Sequence, residues 1–248
     1  MELTPEPVVA EAKSVIEGTV FARSKYSYRN LAKNVLIHDN GEPLLPILAA
    51  DHIVLDPFWN TPGDMEGDLH RPYIAKHPNF TLCARQTVVK KLVNASNNLP
   101  QHWKLSVKAA LRPLAVQYAL LAEVSRQAKE QHPDWSAEKV LRHSQTFVTD
   151  PSIMCPPHCT GAAVDVDIID NSGQLIDMGC PPNTDDERAF THYDKLTPEQ
   201  TQNRRTLLDT MQAAGFANLA HEWWHFSYGD QYWAAFYGQH RAIYDIVE

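Results

Sequence analysis

Long apolar runs are missing from this sequence: no segment approaches the roughly 20 apolar residues that cross a bilayer. The first residues, MELTPEPVVAEAKSVIEG, are acidic and interrupted by proline, so the basic and apolar regions of a secretory signal are missing too. Basic charge is in short supply, with a net charge of -8. Because nucleic acids and anionic membranes bind basic surfaces, we expect neither as a partner. The predicted location is the cytoplasm, and the sequence indicates no oligomeric state.

Cysteine is scarce, and its spacing excludes a C-x-x-C zinc knot. Two of the four cysteines, Cys155 and Cys159, flank His158. They are compatible with metal ligation, but reduced thiols packed near a loop are the more common arrangement in a cytosolic chain.

What the sequence does contain is enough apolar content, 44%, for a substantial core. We assign residues 1–248 to a single domain, with about the first 20 residues peripheral to it. Predicted strands and helices do not alternate regularly, so an α+β fold is favoured over a repeated βαβ arrangement.

Two predicted strands carry polar residues that matter for function. Residues 104–111, KLSVKAAL, alternate apolar and polar and run into a helix with Pro113 in its first turn, which places Arg112 at a strand-to-helix junction. Side chains at such junctions often point into a cleft. In residues 162–169, AAVDVDII, alternation sets Asp165 and Asp167 on one face and valines on the other. The helix after Arg112 has a predicted apolar face of Leu114, Tyr118, Leu121 and Val124.

The clearest predicted helix begins at TPEQ, where Thr197 is the N-cap, Pro198 the first helical residue and Gln200 the partner in a capping box. Gly215 ends this helix. The aromatic segment that follows, FANLAHEWWHFSY, favours a strand.

Within that segment His221, Glu222 and His225 form H-E-x-x-H, a helical zinc signature in which both histidines bind the metal. A helix is disfavoured here because aromatic residues are dense and only Asn218 offers an N-cap. A third ligand in a recognisable position is also missing. In the metzincin signature it lies six residues after the second histidine, and that position is Gln231 here.

A second ligand set comes from PPHCTGAAVDVD, in which His158 and Asp165 lie seven residues apart. They can meet at one ion only if the chain folds back between them, and Gly161 supplies the backbone freedom for that. With His225 they provide two imidazoles and a carboxylate, which leaves a fourth position for water and makes Glu222 its base. Because residues 222 and 225 face opposite ways in a regular strand, this set predicts a bend in HEWWH. Lone histidines and strand aspartates are more often structural, so these motifs taken singly leave both ligand sets open.

The combination of HCTGAAVD, DMG, DER, NRRTLLDTMQAAGF and EWWH resembles the D-alanyl-D-alanine dipeptidases of the vancomycin-resistance type. Their pattern is S-x-H-x-x-G-x-A-x-D followed by E-x-W-H. The segments YSYRNL and ALRPLAVQ match further elements of that family in the same order, so the resemblance spans residues 26–230. It implies a small central antiparallel sheet flanked by helices, as in D,D-peptidases and hedgehog-type domains.

By this resemblance one zinc ion is bound by His158, Asp165 and His225. Glu222 is then the general base and later the proton donor, and Arg112 stabilises the oxyanion. His221 and Trp223 are assigned to packing or to the pocket wall. Asp167 is either a partner of the metal ligands or an exposed strand carboxylate.

Two departures from the family pattern concern the substrate. Pro156 stands where the family has serine, and Asn183 stands where it has the aspartate that binds the dipeptide's amino group. Asp185 and Asp186 follow closely. The resemblance therefore supports zinc hydrolysis better than it supports one substrate.

The leading prediction is a zinc dipeptidase that hydrolyses D-Ala-D-Ala or a close D,D-dipeptide, a small-molecule partner. One alternative is a zinc D,D- or L,D-carboxypeptidase acting on peptidoglycan stem peptides, which a secretion signal would favour. Another is a non-catalytic zinc-binding module that recognises peptides. Glu222 and Arg112 argue against the module, because binding alone needs neither a base nor an oxyanion donor.

Overall fold

A five-stranded sheet lies at the centre of the computed structural model, which describes residues 9–247. The strands are β1 (Leu36–Ile37), β2 (Leu44–Pro46), β3 (Ile53–Leu55), β4 (Cys83–Arg85), β5 (Trp103–Ala109), β6 (Ala163–Asp170), β7 (Ala217–Asn218), β8 (His225–Ser227) and β9 (Arg241–Ala242). The α-helices are α1 (Val20–Arg23), α2 (Arg29–Ala32), α3 (Met65–Lys76), α4 (Gln86–Asn97), α5 (Leu114–Gln131), α6 (Ala137–Phe147), α7 (Pro198–Ala213) and α8 (Gln231–Tyr237). This mixture of helices and strands confirms the predicted α+β class.

The central sheet has the strand order β3–β5–β6–β8–β7. Its pairs are antiparallel except that β3 runs parallel to β5. A parallel neighbour requires a long crossover, and the chain between these two strands passes through α3, β4 and α4 before it returns. The central sheet is therefore antiparallel, as the resemblance implied, with one parallel pair at its β3 edge.

One face of β5 and β6 forms the main hydrophobic core. The alternation in β6 turns Val164, Val166 and Ile168 to this face, and Leu105 and Val107 of β5 lie opposite them in register. They pack with side chains of α4 and α7, among them Val88, Leu92, Leu207, Leu208 and Met211. Each such side chain stabilises the fold by about 1.5–3 kcal/mol on full burial, so this contact fixes the sheet against the helices.

The opposite face of β5 and β6 is polar but is buried as well. Ser106, Lys108, Asp165 and Asp167 all lie on it with less than a tenth of their surface exposed. Asp167 is thus not the exposed carboxylate that one interpretation allowed. Its Oδ1 accepts a hydrogen bond from the amide of Ile168 at 2.8 Å, and burial raises its pKa to about 6. Because buried charges need partners, this face is suited to hold a group that compensates its carboxylates.

The capping signals of α7 were predicted correctly. The Thr197 and Gln200 side chains form the full capping box, and Gly215 follows the helix with a φ of 92°. In α5 the predicted apolar face was wrong in part, because Tyr118 is 51% exposed. The helix instead turns Gln117 inward, where its Nε2 donates to the carbonyl oxygen of Thr149 at 2.7 Å.

A second hydrophobic cluster joins the N-terminal segment to α8. Ala12 is buried there with Tyr28 and Phe236, and the amide of Ala12 donates to the carbonyl oxygen of Ser27 at 2.8 Å. Within residues 9–247, no helix combines the length and the apolar character needed to span a membrane. The cytoplasmic location stays a prediction.

Candidate metal centre

Three side chains from distant parts of the chain converge on the polar face of the sheet. His158, Asp165 and His225 each offer one ligand atom, and these atoms lie within 4.8 Å of one another. Asp165 of β6 pairs in register with His225 of β8, which brings residues 60 positions apart side by side. All three side chains are buried. The structure thus brings together the three residues that the sequence nominates as ligands.

His158 reaches the centre from a 3-10 helix, Pro157–Thr160, that precedes β6. Gly161 ends this helix with a φ of 70°, a left-handed conformation that glycine adopts without strain. A Cβ atom at this position would also lie 2.6 Å from Cδ2 of Leu44. The chain therefore folds back at Gly161, as the sequence predicts, and returns into β6 beside His158.

The separations between the ligand atoms fit a tetrahedral ion. His158 Nε2 lies 3.1 Å from His225 Nδ1 and 3.2 Å from Asp165 Oδ2, and His225 Nδ1 lies 3.0 Å from Asp165 Oδ1. Atoms about 2.0–2.1 Å from one zinc ion at tetrahedral angles are about 3.3–3.4 Å apart. His158 Nδ1 donates to the carbonyl oxygen of Ala110 at 2.8 Å, so its Nε2 keeps a lone pair for a metal. The residues present therefore fit a zinc ion with one position left open.

The electrostatics of the three groups favour a cation at this place. Burial acts to raise the pKa of Asp165, but His158 and His225 outweigh that effect and lower it. Burial acts to lower the pKa of His225, yet the hydrogen bond and negative charge of Asp165 raise it. A proton or a divalent cation supplies the positive charge that these ligands attract, so metal binding competes with protonation.

The segment HEWWH is a turn followed by β8, which confirms the predicted bend. Asn218 is fully buried and its Nδ2 donates to the carbonyl oxygens of Glu222 and His225 at 3.1 and 3.0 Å. Thr191 Oγ1 donates to Asn218 Oδ1 at 2.6 Å. These contacts hold the turn so that Glu222 Oε2 lies 3.8 Å from His225 Nδ1.

Glu222 is placed beside the three ligands, in the wall of a cleft. Its side chain keeps 27% of its surface exposed, so solvent and substrate can reach it. Burial raises its pKa, and the charges of His225 and Arg29 offset this only in part. A carboxylate with a raised pKa is a better proton acceptor, although a cation bound nearby would act in the opposite direction.

His221 does not join the metal centre, so the helical H-E-x-x-H interpretation was wrong. Among the residues the structure describes, the cluster of possible ligands comprises His158, Asp165 and His225 alone. The His221 ring instead packs edge-on against Phe190 with 5.7 Å between ring centroids, and burial lowers its pKa to about 4. Residues 221–225 form a turn and the start of β8 and not a helix, so the His221 and His225 rings do not share one helical face.

Arg112 lines the same cleft at the junction of β5 and α5. Glu66, in the first turn of α3, accepts a hydrogen bond from its Nε at 3.1 Å, and Oε2 of Glu66 forms an ion pair with its Nη2 at 2.6 Å. Gln117 Oε1 accepts from Nη1 at 2.9 Å. A guanidinium has five N–H groups, so two remain for a substrate after these three contacts.

Glu66 was missed by the sequence analysis. It is only 5% exposed, and burial acts to raise its pKa, but Arg112 and His70 outweigh that and lower it. The resulting ion pair holds the guanidinium of Arg112 in one orientation and cancels its net charge. Arg112 is therefore arranged as an oriented hydrogen-bond donor.

Replacement of Glu66 by alanine is expected to lower the free energy of unfolding by about 3–5 kcal/mol, because it leaves a buried guanidinium without a counter-charge. As a control, Glu138→Ala removes an exposed ion pair with Arg142 on α6 and should leave stability nearly unchanged. Urea unfolding of both variants measures the difference. Equal midpoints for the two would contradict the role given to Glu66.

The cleft has a volume of about 530 Å³, and both family departures line it. Pro156 lies near His158, and Asn183 lies in a loop with a φ of 63°. Asn183 Nδ2 donates to Oδ2 of Asp64, the N-cap of α3, at 3.0 Å. Asp64 and Asp185 also line the cleft, so carboxylates are present around the position where Asn183 replaces the family aspartate.

Cys155 and Cys159 lie outside the group of metal-binding side chains within the described residues. Cys155 Sγ donates to Asp245 Oδ1 at 3.3 Å, and Cys159 is buried. Burial raises their pKa values to about 12 and about 11, so both are protonated thiols at neutral pH. This arrangement agrees with reduced, packed cysteines.

The family to which this chain belongs follows from its similarity to known proteins. The family model described as D-ala-D-ala dipeptidase matches residues 75–243, about two thirds of the chain. The chain belongs to the D-Ala-D-Ala dipeptidase family. It is therefore a metallopeptidase, and the matched range contains Arg112, the three converging ligands and Glu222. Glu66 lies before that range.

Several proteins are similar to this chain in sequence or in structure. The chain is similar to the D-alanyl-D-alanine dipeptidase of Synechocystis sp., with 32% identity over 82% of this chain and 88% of the relative. The D-alanyl-D-alanine dipeptidases of Escherichia coli and Enterococcus faecium are 33% and 32% identical over 28% and 30% of this chain, and 36% and 37% of their own. Among solved structures, a mutant of the vancomycin-resistance D,D-pentapeptidase VanY in complex with Zn(II) has a TM-score of 0.38 and 14% identity, covering 66% of this chain and 83% of its own.

Proposed function

We propose that this protein is a zinc-dependent dipeptidase that hydrolyses D-Ala-D-Ala or a closely related D,D-dipeptide, with one zinc ion per chain. The observation that carries the proposal is the convergence of His158, Asp165 and His225 in a cleft, with the Glu222 carboxylate 3.8 Å from a ligand nitrogen. Membership of the family, and the names of the relatives, support the substrate class.

His158, Asp165 and His225 would hold the ion, and zinc bound there would polarise the scissile carbonyl and lower the pKa of a coordinated water toward about 7. Glu222 accepts a proton from the attacking water and then donates it to the nitrogen of the leaving residue. The contacts of Asn218 with the backbone of Glu222 and His225 keep the base and the ligand at a fixed separation.

Arg112 supplies donors for the carbonyl oxygen as it gains negative charge. Its two remaining N–H groups are oriented before the substrate arrives, because Glu66 and Gln117 hold the guanidinium plane. One pre-oriented donor of this kind is worth on the order of 3 kcal/mol of transition-state stabilisation. A group that is already in place costs no reorganisation during the reaction.

The acidic lining of the cleft supports a substrate with a free amino group. Asp64 and Asp185 lie around Asn183, which itself cannot carry a negative charge. In this proposal one of these two carboxylates takes the role of the family aspartate and pairs with the ammonium group of the dipeptide. A substrate with further residues before its D-Ala-D-Ala end lacks that ammonium group next to the scissile bond.

The test is alanine release by the zinc-loaded protein from three substrates: D-Ala-D-Ala, L-Ala-L-Ala and a stem pentapeptide that ends in D-Ala-D-Ala. We expect turnover of the D,D-dipeptide and little of the other two. Turnover of the pentapeptide without turnover of the dipeptide would replace this proposal by a D,D-carboxypeptidase. Zinc binding without hydrolysis of either D,D-substrate would support a non-catalytic module.

A further inference from the structure

A dipeptide brings a free carboxylate into the cleft, and that charge needs a partner once it leaves water. The guanidinium groups among the described lining residues are those of Arg29 and Arg112. Arg112 is already paired with Glu66 through a hydrogen bond and an ion-pair contact, so its positive charge is neutralised. Arg112 is therefore a poor partner for a second full negative charge.

Arg29, the first residue of α2, is held in a different way. Its Nη1 donates to the carbonyl oxygens of Thr146 and Gln145, at 2.6 and 3.5 Å, and both acceptors are uncharged. Within residues 9–247, Arg29 forms no ion pair, and no hydrogen bond involves its Nε or Nη2. These two nitrogens form the edge of a guanidinium that binds a carboxylate through two parallel hydrogen bonds.

Arg29 lines the same cleft as Glu222, the proposed base. Arg29, Glu222 and Tyr232 all line the cleft, and Tyr28, the residue before Arg29, packs edge-on against Tyr232 with 6.3 Å between ring centroids. Asp64 also lines the cleft, as the N-cap of α3 two residues before Glu66, the partner of Arg112. In the proposed reaction Glu222 protonates the leaving nitrogen, and one carbon atom separates that nitrogen from the terminal carboxylate.

We propose that Arg29 binds the C-terminal carboxylate of the substrate through its Nε–Nη2 edge. This inference rests on the proposed function and extends it, because it names the residue that restricts cleavage to the bond before a free C-terminal residue. Because Arg29 and the carboxylates around Asn183 all line the cleft, it offers a partner for each of the two charges of a dipeptide.

The test compares D-Ala-D-Ala with its C-terminal amide in the wild-type protein and in Arg29→Met and Arg29→Lys. We expect Arg29→Met to reduce the ratio of kcat/KM for the acid to that for the amide by about 10–100-fold, mainly through KM, because a hydrogen-bonded charge pair is lost. Arg29→Lys should restore part of the ratio. The ratio does not depend on the fraction of folded enzyme, which protects the test against a folding defect.

Arg71→Met is a control at an arginine outside the cleft; unlike Arg29, Arg71 also forms an ion pair with Asp68. Its Nη1 also donates to two backbone carbonyls, those of Trp59 and Thr61, but Arg71 does not line the cleft. An acid-to-amide ratio that is unchanged in Arg29→Met would overturn the inference. Arg29 would then serve only to hold α2 against α6 through its hydrogen bonds with Gln145 and Thr146.

Binding separates this inference from the proposed function. Calorimetry with zinc-loaded Glu222→Gln gives the dissociation constants of the acid and of the amide without turnover. Adding Arg29→Met to that variant should remove the preference for the acid. Absence of hydrolysis by the wild-type protein would reject the proposed function. Equal binding of acid and amide, by contrast, would reject the role of Arg29.

Discussion

Conversion of Glu222 to glutamine is expected to lower kcat for D-Ala-D-Ala by about 10²–10⁴-fold while one zinc ion stays bound per chain. Glutamine has the size of glutamate but cannot accept a proton from water. The turn should persist in this variant, because Asn218 contacts the backbone carbonyl of residue 222 and not its side chain. Alanine release at saturating substrate measures the first effect, and elemental analysis of the purified variant measures the second.

Glu138→Gln is the matched control for this experiment. Glu138 lies on α6 with 81% of its side chain exposed, and its replacement should change neither turnover nor zinc content. If Glu222→Gln kept more than half of the wild-type kcat, Glu222 would not be the base. If the variant lost its zinc, Glu222 would belong among the ligands.

Conversion of Asp165 to asparagine is expected to abolish stoichiometric zinc binding, whereas His221→Ala should retain one zinc ion per chain. Asp165 supplies the only negative charge among the three proposed ligands, and its carboxylate oxygens lie 3.0 and 3.2 Å from the ligand nitrogens of His225 and His158. Loss of an outer partner of a metal site costs about 10–100-fold in affinity, and loss of a charged ligand should cost more. His221 packs against Phe190, away from the converging atoms.

Competition with a chromophoric zinc chelator measures both affinities. Thermal unfolding of the zinc-free proteins shows whether each variant is folded. This control is needed because Asp165 is buried and its replacement also alters the core. A folded Asp165→Asn with wild-type zinc affinity, or a folded His221→Ala without zinc, would contradict the ligand set.

The parts of the site that follow from local rules were predictable from sequence. Strand alternation put Asp165 on the polar face of β6, and the short spacing to His158 required a reversal that Gly161 makes. The incompatibility of residues 222 and 225 with one strand face predicted the bend in HEWWH. The identity of the ligands also drew on a resemblance, because alternation alone does not distinguish a ligand from any other buried aspartate.

Features that depend on long-range contacts were not predictable in the same way. Glu66 stands 46 positions before Arg112, within an acidic first turn that suits a helix N-terminus whether or not an arginine faces it. The parallel pairing of β3 with β5 depends on how α3 and α4 pack, and no local pattern encodes that. In α5 the hydrogen bonds of Gln117 with Arg112 and Thr149 turn that residue inward. Tyr118, which the regular apolar spacing places on the buried face, is exposed as a result.

The most direct test of the metal centre is a crystal structure of the zinc-loaded protein with anomalous data at the zinc edge. We expect one peak per chain within about 2.3 Å of His158 Nε2, an Asp165 carboxylate oxygen and His225 Nδ1. Glu222 should lie beyond that distance, near the open position. A peak that includes His221, or one that excludes Asp165, would contradict the account.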